Sequence, residues 1–294
     1  MAERQFSIAG HAFTSAKLEP ALYLVSTPIG HLKDISIRAL ETLAGADLIL
    51  CEDTRTSAKL LNAYGIKTQK ASLHEHNEVA QAQNITNEVL AGKAICLISD
   101  AGTPLISDPG FPLVRVAAEN GVSIIAIPGA SAVLAALAVS GLPTDSFSFF
   151  GFLPVKKQAR LNRLSDLKTH LPTMVFYESP KRTSATLSAM AEALGPDRQV
   201  VVARELTKRF ETLYRGTAGD LAAQFHGATV KGEVVILVAG ANKAAQINPD
   251  EWRDALKILM QELPLRGAVD KIAADFELKR KQVYQAALEL KDGK

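Results

Sequence analysis

No run of apolar residues in this chain reaches the roughly 18 needed to cross a bilayer. The stretch from Met1 to Lys17 has no apolar core of signal-peptide length, so a cytoplasmic protein without a membrane segment is expected. Cysteine is scarce, with only Cys51 and Cys96 among 294 residues. Each closes an apolar stretch without pairing or metal-ligand spacing, and both are expected as buried, reduced thiols. Two cofactor fingerprints are absent as well. No G-x-G-x-x-G follows a strand and no Walker lysine loop occurs, which removes support for NAD and nucleoside triphosphate sites. His74-Glu75-His76 lacks a third ligand in view, so no metal is expected.

What is present is an ordinary globular balance, 47% hydrophobic and 22% charged, which excludes wholesale disorder. The length suits two compact domains, or one with an appendage. Net charge is only +2, but it is unevenly spread. Residues 1–150 carry 10 Lys and Arg against 14 Asp and Glu; residues 151–294 carry 23 against 17. The second half is therefore the better candidate to face a polyanion, although a solvated surface accounts for such an asymmetry too.

The most informative stretch runs from Ala94 to Gly110. Its apolar start, Ala94 to Ile98, is broken by Asp100, Gly102, Pro104, Asp108, Pro109 and Gly110. This reads as a buried strand feeding a rigid turn, the usual ligand position in an open α/β sheet. Two further junctions repeat it: Leu22–Ser26 leads into Thr27-Pro28-Ile29-Gly30, and Ile124–Ile127 into Pro128-Gly129-Ala130-Ser131. Three such turns predict one cleft contacted mainly by backbone.

Around them, strands are predicted at 22–26, 48–51, 94–98 and 123–127. Helices at 36–43, 54–64, 78–90, 111–120 and 131–140 alternate with them, as in a mostly parallel sheet covered on both faces. The expected layout is an extension at 1–19, a first α/β domain at 20–143, a second at 144–240, a linker at 241–248 and a helical tail at 249–294. The second domain is richer in strands, at 147–150, 173–177, 199–203, 211–215 and 233–238. The spacing of Val200, Leu213 and Val235 there suggests some antiparallel pairing. In the tail, Ala268, Ile272, Phe276, Val283, Ala287 and Leu290 form one apolar face, with Lys271, Lys279, Arg280 and Lys281 outside it. A helix-turn-helix that binds RNA and a small bundle that only packs fit this pattern equally.

Cations collect where strands end. Arg55 opens a helix after Glu52-Asp53, Lys181 and Arg182 follow Tyr177-Glu178-Ser179-Pro180, and Arg204 ends another strand. A cation in a first helical turn opposes the helix dipole, which marks these residues as candidates for phosphate contact.

Five segments then follow in order: Thr27-Pro28-Ile29-Gly30, Ser99-Asp100-Ala101-Gly102-Thr103-Pro104, Pro128-Gly129-Ala130-Ser131-Ala132, Phe149-Phe150-Gly151-Phe152-Leu153-Pro154 and Glu178-Ser179-Pro180-Lys181-Arg182. As a block they resemble the tetrapyrrole methylase family of S-adenosylmethionine enzymes, over roughly residues 20–240. Within it the chain is similar to the branch that 2′-O-methylates a decoding-centre cytidine of bacterial 16S rRNA. The resemblance implies two α/β domains with the cofactor between them, a homodimer, and 16S rRNA as partner, taken within the small ribosomal subunit. It places Pro28 and Ile29 beside the cofactor, with Asp100, Ala101, Gly102 and Thr103 on its methionine and ribose. Ser131 and Ala132 would meet the adenine, and Leu153, Ala203 and Gly232 would complete the pocket. Glu52, Asp53, Glu178 and Glu205 are candidate bases, Glu178 being favoured for its place before Lys181 and Arg182. Arg55, Lys181, Arg182 and Arg204 are expected on RNA phosphates, with Lys279, Arg280 and Lys281 of the tail. The early turn departs from the glycine-rich loop of relatives acting on corrin rings, which argues against a porphyrin role. A methylase of a tetrapyrrole-like small molecule and a non-catalytic RNA-binding factor are the alternatives.

Overall fold

The computed structural model describes residues 4–242, 249–276 and 278–292. Most of the expected linker, and the joint at Glu277, lie outside them.

The first sheet takes its strands from near-continuous apolar runs. These are β3 (Ala21–Val25), β4 (Leu48–Cys51), β6 (Ala94–Ile98) and β7 (Ile124–Ile127), with a short β5 (Lys70–Ser72). All run parallel in the order β5-β4-β6-β3-β7. A parallel sheet is covered on both faces, and β6 is accordingly buried along its whole length. The covering helices are α1 (Ile37–Gly45), α2 (Thr54–Ala63), α3 (Glu78–Leu90) and α4 (Phe111–Glu119). The Ser36 hydroxyl caps α1 by accepting from the Ala39 amide at 3.1 Å, and Asp53 caps α2 through the Arg55 amide at 2.8 Å.

Residues expected as a mere extension form a hairpin, β1 (Gln5–Ile8) with β2 (His11–Thr14). Ala9 and Gly10 both have positive φ at its turn, as a two-residue primed turn requires. Phe6 stacks on Phe13 and is buried in the first-domain core, which also takes Leu40, Leu43 and Ile49.

From α5 (Ala132–Ser140) the chain passes to β8 (Phe147–Phe152) and the second sheet. Its other strands are β9 (Thr173–Glu178), β10 (Gln199–Arg204), β11 (Thr212–Thr217) and β12 (Val234–Val238), in the order β11-β10-β12-β9-β8. All its pairs are antiparallel except β8 with β9. The expected pairing appears at Ala203, which stands opposite both Leu213 and Val235. Helices α6 (Lys157–Asp166), α7 (Thr183–Leu194) and α8 (Ala218–Gln224) complete this domain.

Helix α5 buries Val133, Ala136 and Leu137 between the domains and leaves Leu134 and Val139 exposed on its other side. Val133, Ala136 and Leu137 join Ile29 from the first domain and Val175, Val201 and Leu237 from the second in one buried cluster. Arg215 adds a polar tie, its Nε donating to the Ser140 carbonyl at 3.0 Å. Three tail helices, Pro249–Glu262, Leu265–Asp275 and Arg280–Asp292, form a core of their own around Trp252, Leu256, Ile272 and Val283. Among the described residues no helix is long and apolar enough to cross a membrane.

Candidate active site

Strands β6, β3 and β7 are neighbours and parallel, so their carboxyl ends deliver the three rigid turns to one edge of the sheet. Hydrogen bonds join the turns. The Thr27 amide donates to the Gly102 carbonyl at 2.8 Å and the Gly102 amide returns the bond at 3.1 Å. Thr103 Oγ1 donates to the Ala130 carbonyl at 3.3 Å, which leaves the Ser26 hydroxyl to donate to Thr103 at 3.0 Å. Gly129 is required by closeness, since a Cβ there would lie 2.8 Å from that of Ser26. Leu105 and Ser107 both hold positive φ, a strained backbone that persists only where its surroundings dictate it.

Facing this floor across a cleft of about 350 Å³ are Phe152, Tyr177, Ser179, Pro180 and the segment Gly232–Val235. The size lies within the range of about 300–1,000 Å³ common for small-molecule sites. Gly232 has φ +84 and lies against the Glu205 carboxylate. That carboxylate accepts from the Glu233 amide at 3.0 Å and from Lys208 at 2.8 Å, and Lys208 holds it below its ordinary range. The same loop reaches the first domain, where the His31 amide donates to Thr207 Oγ1 at 3.1 Å.

One wall is acidic. Burial pushes the Asp108 carboxyl up to about 6, and the neighbouring Glu52 and Asp100 carboxylates add to the rise. Glu52 and Asp100 are raised chiefly by burial as well. Across the cleft, Tyr177 is pushed up to about 12 by burial and by Asp108.

Several expected site residues come together here. Ile29, Ala101, Gly102, Thr103, Ser131, Ala132 and Gly232 line the cleft, and Glu178 is among its walls. Pro28, Asp100, Leu153 and Ala203 are not among the lining residues. Pro28 is buried behind Ile29. Asp100 stands at the rim, accepting from the Asp53 amide at 3.3 Å. Ala203 stands beside Val235 on the neighbouring strand β10. Leu153 packs into the second-domain core. Asp108, Tyr177 and Phe152 line the cleft beyond the expected set, although Asp108 belongs to the Gly- and Pro-rich stretch after β6.

Two readings need correction. Glu178 is not placed as a base, because its side chain has no exposure and both oxygens are occupied. Oε2 accepts from Thr186 Oγ1 at 2.6 Å and Oε1 from the Ser179 amide at 2.8 Å. Arg182 Nε stands 3.3 Å from Oε1, near enough for attraction but off the line of a hydrogen bond. Arg182 and Arg204 are not free phosphate clamps. The Arg182 guanidinium donates to the Leu153 carbonyl at 2.6 Å, while Arg204 donates to the carbonyls of Lys231 and Phe210 at 3.1 Å each. Arg55 is exposed and pairs with Asp53, which neutralises the misplaced cation at its helix start. Lys181, Lys279 and Lys281 are exposed, and Arg280 pairs with Asp270. Among the described residues no group of three or more His, Cys, Asp or Glu could hold a metal ion.

A family model described as Tetrapyrrole (Corrin/Porphyrin) Methylases matches residues 21–222. The chain belongs to the tetrapyrrole methylase family. A second model, the RsmI C-terminal HTH domain, matches residues 246–291, the tail whose pattern left helix-turn-helix and bundle open. Among family members, "Ribosomal RNA small subunit methyltransferase I" of Mesorhizobium japonicum is 48% identical over 94% of this chain and 94% of its own. Its namesake in Vibrio cholerae is 46% identical over 92% of this chain and 95% of its own. The methylase fold also appears in uroporphyrin-III C-methyl transferase from Thermus thermophilus, solved complexed with S-adenyl homocysteine. That structure has a TM-score of 0.52 at 16% identity, covering 74% of this chain and 97% of that one.

Proposed function

We propose that the cleft binds S-adenosylmethionine and that the protein methylates the 2′-hydroxyl of a cytidine in small-subunit rRNA, at the decoding centre. The observation that carries the cofactor is the convergence of three joined backbone turns opposite Gly232–Val235, beside an acidic wall. Such a wall favours a sulfonium cation and an amino group, and the backbone floor suits a ligand held without large side chains. When bound, the cofactor supplies a methyl group already activated for displacement. Ile29, Ala101, Gly102 and Thr103 would hold its methionine and ribose end, and Ser131 and Ala132 its adenine. Pro28, Leu153 and Ala203 support these contacts from behind, and Asp100 borders the opening. What remains for the protein is to align the acceptor hydroxyl and exclude water.

The substrate follows the names of the relatives, and the chain has a surface to match. Lys181 lies beside the cleft, and Lys279 and Lys281 are exposed on the tail. We read the working form as a cytoplasmic homodimer whose tail docks on the assembled small subunit. The experiment is transfer of labelled methyl to small subunits from cells lacking this gene, with naked rRNA alongside. Label in one 2′-O-methylcytidine supports the reading, and label confined to another nucleotide or to small molecules refutes it.

A further expectation concerns the tail. Replacing Lys279 and Lys281 with alanine should weaken RNA binding and reduce the slope of log K against log salt by about 1–2, if each lysine neutralises one phosphate. Affinity for S-adenosylhomocysteine should not change. An unaltered slope in filter binding from 50 to 200 mM salt, the span over which phosphate contacts are most visible, removes the tail from the RNA interface.

A further inference from the structure

Among the carboxylates near the cleft, most are already engaged. Glu178 is sealed by Thr186, Ser179 and Arg182. Glu205 is locked by Lys208 and the Glu233 amide. Asp53 caps a helix and pairs with Arg55, and Glu233 is ion-paired with Lys208 at 2.9 Å. Glu52 and Asp100 stand outside the lining. Asp108 differs from all of these, since it lines the cleft and has no cationic partner among the described residues. The loop that carries it is pinned at both ends. Ser107 packs against Gly151 of the second domain, where an added Cβ would lie 3.3 Å from its Oγ. At the other end, the Gly110 amide donates to Glu78 at 2.6 Å.

We propose that Asp108 is the catalytic base that takes the proton from the acceptor hydroxyl. This rests on reading the cleft as a methyl-transfer site for a ribose hydroxyl. In the step, the hydroxyl gives its proton to an Asp108 carboxylate oxygen as its own oxygen bonds the methyl carbon. The carbon–sulfur bond breaks and its electron pair stays on sulfur, leaving a neutral thioether, a neutral Asp108 and the methyl ether. The groups facing Asp108 suit this role. Glu52 and Asp100 make its ionised form more basic, and Tyr177 opposite stays protonated at neutral pH. An ordinary exposed carboxylate would be a poorer acceptor, whereas one titrating near 6 is ionised at neutral pH and still basic enough to help.

The test compares the full native chain with Asp108→Asn and Asp108→Glu, using small ribosomal subunits as acceptor. Asp108→Asn should lower kcat by about 10²–10⁴-fold, the usual contribution of a positioned base, with Asp108→Glu recovering part of it. S-adenosylhomocysteine should still bind, its loss by calorimetry limited to the attraction between its amino group and the acidic wall and far smaller than the fall in kcat. The native kcat/KM should fall as pH drops through about 6, a limb absent from Asp108→Asn. Independently of turnover, carboxyl ¹³C spectra of aspartate-labelled protein should show one resonance titrating near 6 that disappears in Asp108→Asn. Full activity in Asp108→Asn beside an active native enzyme overturns the proposal alone. A native protein that methylates no ribose hydroxyl overturns the reading of function, and the proposal with it.

Discussion

Replacing Arg182 with methionine is expected to destabilise the protein by about 3–5 kcal/mol, the usual cost of removing one partner from a buried ion pair. The Glu178 side chain is fully buried and that of Arg182 is 23% exposed. Methionine fills much of the space but leaves the Glu178 carboxylate without its cation. It also strips the Leu153 carbonyl of a donor held at 2.6 Å. Adding Glu178→Leu should restore a large part of the loss, because an apolar pair needs no compensation, although Thr186 and the Ser179 amide then lose their acceptor. The measurement is urea unfolding, read as a shift in midpoint at constant slope. Glu178→Gln separates structure from catalysis. If Glu178 were the base, the amide would abolish turnover while leaving stability nearly intact. The sealed pair predicts the reverse, lowered stability with turnover of the folded fraction within about tenfold of native.

This pair marks the boundary between what a sequence pattern displays and what only the fold creates. The three turns were legible because Gly and Pro interrupt apolar runs at strand ends, and the parallel sheet then brings those ends together. The strands of both sheets were legible for the same reason, except β5, whose Lys70-Ala71-Ser72 is too short and polar to show a pattern. The hairpin at 5–14 carries only a short signal, Phe6 and Ile8 alternating with polar residues before Ala9-Gly10. What no pattern displays is the partner of a charge. Arg182 and Arg204 spend their donors on main-chain carbonyls, which are invisible in a sequence. Nor does position at a strand end say whether a carboxylate faces a cleft or a core. Glu178 turns inward to Thr186, while Asp108, on a loop without any strand register, lines the opening.

Gly232→Ala is the substitution expected to damage cofactor binding most, by about 30-fold or more, which corresponds to about 2 kcal/mol. Two costs combine at this position. The backbone has φ +84, where an alanine loses roughly 1–2 kcal/mol relative to its preferred regions. The new Cβ would also lie 2.2 Å from Glu205 Oε1, so the carboxylate must leave. It cannot leave without consequence, because it joins Lys208 to the Glu233 amide while the Glu205 amide donates to the Glu233 carbonyl at 2.9 Å. Displacing it moves Glu233 and with it the wall that runs to Val235 along the cleft. Gly227→Ala serves as the control, since its φ is +70 but nothing stands within 4 Å of an added Cβ. That variant should lose a similar amount from backbone strain in unfolding experiments and bind S-adenosylhomocysteine as the native protein does. If calorimetry finds the two variants alike in affinity, the Gly232–Val235 wall does not touch the cofactor. If only Gly232→Ala fails, truncating Glu205 as well should return the part of the loss that came from collision and leave the part that came from φ.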